Sequence, residues 1–178
     1  MSMDTRRLFF ALWPDQATRA ALDQTAASLH VNWGGRQMPP ESLHLTLAFL
    51  GDTPVVRLDE LHRLAAAVIG RTFTLKLDSP GCWQQNRVGW LGVKETPPAL
   101  TLLVSHLRRA LRAGQFPFDD RRYVPHVTLL RNAHCGAPPP CPPLMWNAQN
   151  FALLHSPGLG ATRGYTVLGR WPLARGPQ

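Results

Sequence analysis

Leu43-His44-Leu45-Thr46-Leu47-Ala48-Phe49-Leu50 alternates from end to end. Leu43, Leu45, Leu47 and Phe49 fall on one face, and His44, Thr46 and Ala48 on the other, the period of a half-buried β-strand. A second stretch, Tyr123 to Arg131, repeats the pattern as His126-Val127-Thr128-Leu129. Residues i and i+2 of a strand point the same way, about 7 Å apart. Each copy therefore sets an imidazole beside a hydroxyl. In the second copy His126, Thr128 and Leu130 share a face, with Val127, Leu129 and Arg131 opposite. Arg131 sits near the strand end and is long enough to curl round into a site there.

Chance does not explain two such copies. Random placement of the 7 His and 12 Thr gives roughly 0.5 His-x-Thr pairs, and about 0.1 once both remaining positions must be apolar. Facing one another, the copies would hold two imidazoles and two hydroxyls around one small anion. That is the equipment of a metal-free, two-histidine phosphoesterase.

The chain has 178 residues, long enough for one domain with a real core. Hydrophobic residues make up 44% and charged residues 17%, a globular composition rather than a disordered one. The net charge of +8 comes from 17 Arg and only 2 Lys. Guanidinium grips phosphate with a planar fork, so such a surface suits polyanions such as RNA; high-GC coding gives the same bias. Cys82, Cys135 and Cys141 form no Cys-x-x-Cys and indicate no disulfide framework, so a cytoplasmic location is expected. No apolar run is long enough for a membrane span, no signal-peptide pattern opens the chain, and no heptad pattern suggests a coiled-coil partner, so a monomer is expected.

Strands are predicted at Arg6–Trp13, Leu43–Leu50 (ended by Gly51-Asp52), Phe73–Leu77, Arg87–Val93, Tyr123–Arg131, Gln149–His155 and Tyr165–Trp171. Helices are predicted at Asp15–His30, Leu58–Ile69 and Leu100–Leu111. Val31–Pro40, the segment around Cys82–Asn86 and the Pro-rich Ala137–Pro143 read as loops. This order predicts an α+β fold of mainly antiparallel sheet. Residues 1–178 would form a single domain of two similar lobes. Each lobe would carry one motif strand, around 43–50 and 124–131, facing across a cleft.

Paired His-x-Thr motifs are the mark of the 2H phosphoesterase superfamily. Within it the chain resembles the bacterial RNA 2′,3′-cyclic phosphodiesterases, also called 2′-5′ RNA ligases of the LigT/ThpR type. The matching segments are Arg7–Leu12, Leu43–Gly51, Arg87–Gly92 and Pro125–Arg131. The resemblance implies a bilobal fold with a basic cleft. It implies hydrolysis of a terminal 2′,3′-cyclic phosphate on RNA to a 2′-phosphate, and the reverse joining to a 5′-hydroxyl end, with neither ATP nor metal as cofactor. RNA with cyclic-phosphate ends, tRNA fragments included, is the expected partner. The family makes His44 the proton donor to the leaving 3′ oxygen and His126 the acceptor that activates water; by symmetry alone the swap is equally good. Thr46 and Thr128 would hydrogen-bond the non-bridging oxygens, and Arg131 would add a charge-assisted contact. Two rivals stand beside this reading: a 2H phosphodiesterase of small cyclic nucleotides or 2′-5′ oligonucleotides, and a non-catalytic RNA binder.

Other signals read as structural. Phe10, Phe49 and Trp90 could stack bases but are expected in the core. His134-Cys135 with Cys141 fits no zinc spacing. Gly158-Leu159-Gly160 is a turn, and His30, His62, His106 and His155 lack partners in the sequence.

Overall fold

The computed structural model describes residues 4–157 and 164–175; Gly158-Leu159-Gly160 lies outside the described residues. The elements run β1 (Thr5–Leu12), α1 (Gln16–Trp33), β2 (Arg36–Gln37), β3 (Leu45–Pro54), α2 (Leu58–Ala66), β4 (Phe73–Leu77), β5 (Ser79–Trp83), β6 (Val88–Gly92), α3 (Pro98–Ala113), β7 (His126–Arg131), β8 (Leu144–Ala148), β9 (Asn150–Ser156) and β10 (Thr166–Pro172). The main sheet is ordered β10-β9-β1-β3-β7-β6-β5, with β2 also on β7, and β4 and β8 make a separate pair. These strands all pair antiparallel. The fold is α+β.

The helices pack on one face of the sheet. Leu22, Ala26, Leu29 and Trp33 of α1 and Leu100, Leu103, Leu107 and Leu111 of α3 join Leu8, Phe10, Leu12, Leu45 and Val127 in one buried core. The opposite face carries a smaller apolar patch, Phe9, Ala11, Ala152 and Leu154, flanked by Trp13, Phe49 and Tyr165. Helix α1 starts where Asp15 accepts a bond from the Thr18 N–H at 2.7 Å, an N-cap. It runs past the expected end at His30 to Trp33, because Trp33 continues the buried stripe and the terminator is Gly34 at φ +57°.

Three strands were not legible in the sequence. β2 is only two residues long. β5 contains Pro80 and Gly81, which an edge strand tolerates. β8 follows directly on the Pro-rich loop, with Leu144, Trp146 and Ala148 buried in alternation. Helix α2 stops at Ala66, short of the exposed Ile69. Gly51-Asp52 does not end β3: Gly51 at φ +72° absorbs a bulge, and the strand runs on to Pro54 against β1.

The two motif strands meet at the centre of the sheet through one backbone pair, Leu45↔Val127. Each is the residue after its motif histidine, so a local two-fold axis passes between them. On one side stand β10-β9-β1-β3, on the other β7-β6-β5.

Candidate active site

Leu45 and Val127 are fully buried on the helix side, so the flanking residues of both strands point to the other face. Continuing their antiparallel register sets His44 opposite Thr128 and Thr46 opposite His126. The two histidines become diagonal neighbours, about 7 Å apart in an ideal ladder, which leaves room for one phosphate between them.

A bulge follows each motif. In β3 the partners of Thr46 and Ala48 are adjacent residues of β1, Ala11 and Phe10, so Leu47 is the extra residue. In β7 the partners of Thr128 and Leu130 are adjacent residues of β6, Trp90 and Gly89, so Leu129 is the extra residue. Each bulge shifts the alternation by one. Ala48 and Leu130 are therefore buried in the core, not on the histidine face. Phe49 leaves the core face for the cleft, and Arg131 reaches the cleft by alternation rather than by curling round the strand end.

The two imidazoles are held alike. Nδ1 of His44 lies 2.7 Å from the Ser42 carbonyl, and Nδ1 of His126 lies 2.7 Å from the Val124 carbonyl. A carbonyl only accepts, so Nδ1 carries the proton and donates in both rings. Among the described residues Nε2 has no hydrogen-bond partner in either ring, so it is able to take a proton or, once protonated, to give it. Their surroundings differ. His44 is boxed by Phe9 (4.8 Å between ring centres), Tyr165 (5.2 Å) and Trp13 (6.1 Å). Burial is the main cause that lowers its pKa to about 4; the Ser42 bond opposes this, and the charges of His126 and Arg131 add to it. His126 lies edge-on to Trp83 at 4.6 Å. Burial also lowers its pKa, the Val124 bond opposes, and the Arg131 charge lowers it further.

Thr46, Thr128, His126 and Arg131 line a cleft of about 510 Å³, whose other walls include Phe49, Trp83, Gln85, Asn86, Arg108, Asp119, Arg121 and Arg122. His44 lies beside this lining, near enough to feel the charges of His126 and Arg131. The structure thus brings together the five residues singled out in the sequence. Phe10 is fully buried, as expected of a core residue, whereas Trp90 is half-buried beside Trp83, at 5.3 Å.

Sequence reasoning missed Trp83 and Tyr123. Trp83 lay in a segment read as a loop. The buried Tyr123 hydroxyl donates to the Thr46 carbonyl at 3.2 Å, a second tie between the motif segments that no spacing signals. Cys82 and Cys135 form a disulfide. This corrects the expectation from cysteine spacing: the partners are distant in sequence but adjacent where the β5–β6 hairpin meets the loop after β7. It also leaves Cys135 out of any metal reading. Among the described residues no three His, Cys, Asp or Glu side chains converge as a metal-binding group.

An α+β sheet with two His-x-Thr strands around a cleft defines a two-histidine phosphoesterase of the 2H type. Residues 12–90 match the model of the LigT-like phosphoesterase family. An RNA 2′,3′-cyclic phosphodiesterase of Escherichia coli K12 is 35% identical, over 97% of this chain and 99% of that protein. One from Thermus thermophilus is 32% identical over 94% of this chain and 90% of that protein. The crystal structure of E. coli LigT complexed with 3′-AMP superposes with a TM-score of 0.84 at 34% identity, covering 96% of this chain and 99% of that one. The chain belongs to the LigT-like phosphoesterase family.

Proposed function

We propose that the protein hydrolyses a terminal 2′,3′-cyclic phosphate on RNA to a 2′-phosphate, with reverse 2′-5′ joining at the same site. The observation that carries this reading is the pair of imidazoles on neighbouring strands, each with Nδ1 tied back to a carbonyl and Nε2 without a partner among the described residues. The names of the relatives add weight, since both are RNA 2′,3′-cyclic phosphodiesterases.

In the forward direction His126 Nε2 takes the proton of a water as its oxygen attacks phosphorus. The P–O3′ bond breaks in line, and His44 Nε2 gives its proton to the leaving 3′ oxygen. In joining, an RNA 5′-hydroxyl takes the place of water and a 2′-5′ phosphodiester forms. Thr46 and Thr128 donate hydrogen bonds to the non-bridging oxygens, where charge builds up. Arg131 neutralises that charge.

The rest of the reading is a single domain of two lobes, a monomer, working in the cytoplasm on RNA ends that include tRNA fragments. No helix among the described residues is long and apolar enough to cross a membrane. In a reducing cytoplasm Cys82 and Cys135 would be open to reduction. A cleft with four arginines against one aspartate favours a polyanion over the small-nucleotide alternative.

The test is a short RNA ending in a 2′,3′-cyclic phosphate, incubated with EDTA and without ATP. A 2′-phosphate product is expected, with turnover lowered at least a thousandfold in His44→Ala and in His126→Ala while both variants stay folded. Near-normal turnover in either variant would sink the assignment.

A further inference from the structure

Strand β5 lies at the edge of the main sheet, where its only neighbour is β6. One covalent bond adds a second tether: Cys82 of β5 is joined to Cys135, in the loop after β7. That loop is itself anchored. The Ala133 N–H donates to the Arg87 carbonyl at 2.9 Å, and the His134 N–H donates to the Trp33 carbonyl at 2.7 Å. Side chains alternate along a strand. Cys82 packs on the main core, so the next residue, Trp83, turns to the cleft, where its ring stands edge-on to His126 at 4.6 Å. The bond therefore fixes the backbone one residue away from a wall of this imidazole.

The bond is also within reach of exchange. Both cysteines are half-buried, and Cys135 lies between the exposed His134 and Gly136, so a small thiolate has a path to the sulfur. A first glutathione thiol would attack the bond and form a mixed disulfide, and a second would release it. Two protein thiols and one glutathione disulfide result; glutathione disulfide reverses both steps. Reduction removes the tether but leaves the β5–β6 ladder, so its effect falls on the placement of Trp83. A looser Trp83 admits water to the His126 ring. The other groups around that ring are not held by the bond: Trp90 of β6, His44 beside β3 and Arg131 of its own strand, with Arg108, Asp119, Arg121 and Arg122 on the walls of the same cleft.

We infer that Cys82 and Cys135 form a redox switch on this site: the disulfide form holds Trp83 against His126 and is the fast form, and the dithiol form is slow. The regulated activity is the cyclic phosphodiesterase reading, on which this inference rests. The test uses the whole chain at 25 °C in excess glutathione disulfide or in excess glutathione. Alkylation should label Cys82 and Cys135 in the second buffer and neither in the first. On reduction, kcat/KM for a short RNA ending in a 2′,3′-cyclic phosphate should fall roughly 10- to 100-fold, since misplacing an active-site group by about 1 Å can cost about 100-fold. Proton NMR should show the His126 ring titrating higher, toward 6.5, in the dithiol form, as the burial that lowers it is relieved. Cys82→Ser should match the dithiol form in both buffers. Trp83→Ala should make both the rate and the His126 titration indifferent to redox state. Alkylation of both cysteines in glutathione disulfide, or two forms alike in rate and titration, overturns the inference. So does loss of the fold on reduction, which would make the bond a staple only. If the titration moves but neither form turns over the RNA, the coupling of the bond to His126 stands and the cyclic phosphodiesterase reading falls.

Discussion

His44 and His126 share one backbone arrangement, yet both hold a proton less tightly than a free imidazole, His44 far less, with burial as the first cause in each. The proposed reaction needs a single proton on the pair, so kcat/KM should fall about tenfold per pH unit above the pair's upper apparent pKa. Burial places that limb below the ordinary 6.5. Arg131 is a further cause depressing both rings, so in Arg131→Ala the alkaline limb should move to higher pH even as the rate drops. A pH–rate profile of the two proteins checks this, and an unmoved limb would place the Arg131 charge away from the pair. The same burial makes folding acid-sensitive. A group whose folded pKa lies below its unfolded value loses stability as pH falls through that interval. For His44 the interval runs from 6.5 to about 4, worth roughly 3 kcal/mol at 1.36 kcal/mol per unit. Denaturant melts at pH 7 and pH 4 should show a smaller difference for His44→Ala than for the wild type. The five proposed site residues were legible because His-x-Thr is both rare and strand-periodic. Tyr123 was not, because a buried phenol that bonds a distant carbonyl leaves no trace in local spacing.

At the scale of the element, alternation located β1, β3, β4, β6, β7, β9 and β10 and placed the helices to within a turn. It misassigned the faces of Ala48, Phe49, Leu130 and Arg131, since a bulge depends on the partner strand and has no period of its own. β5 went unseen because Pro80 and Gly81 look like a turn until an edge position makes them harmless. The hairpin it opens gives the prediction proper to this scale. The Cys82–Cys135 bond links positions 53 residues apart, and the chain-entropy model assigns a closed loop of that length about 4 kcal/mol. Cys82→Ser, or reduction of the wild type, should therefore lower the melting temperature by roughly 10 °C. It should also raise hydrogen exchange in the β5–β6 hairpin more than in β1 or β3. Uniform exchange would mean that the bond steadies the whole chain rather than this hairpin.

Across the whole molecule the charge is +8, and Arg108, Arg121, Arg122 and Arg131 bring part of it to the cleft. If about three of them meet RNA phosphates, affinity for an oligonucleotide should fall roughly 10- to 20-fold between 50 and 200 mM salt, against about threefold for a mononucleotide with a single phosphate. Fluorescence titration at both salts separates the two substrate classes. The pairing of Leu45 with Val127 carries a consequence of another kind. A half-turn about that axis exchanges the two histidines and the two threonines, so the motifs by themselves offer a cyclic phosphate two equivalent seats. In one seat His44 stands at the leaving 3′ oxygen and His126 at the water; in the other the two exchange these places, and the product is a 2′-phosphate in both. Which histidine acts as acid and which as base is therefore decided entirely by what breaks the symmetry: the aromatic box on one side, and the tryptophan hairpin with Arg131 on the other.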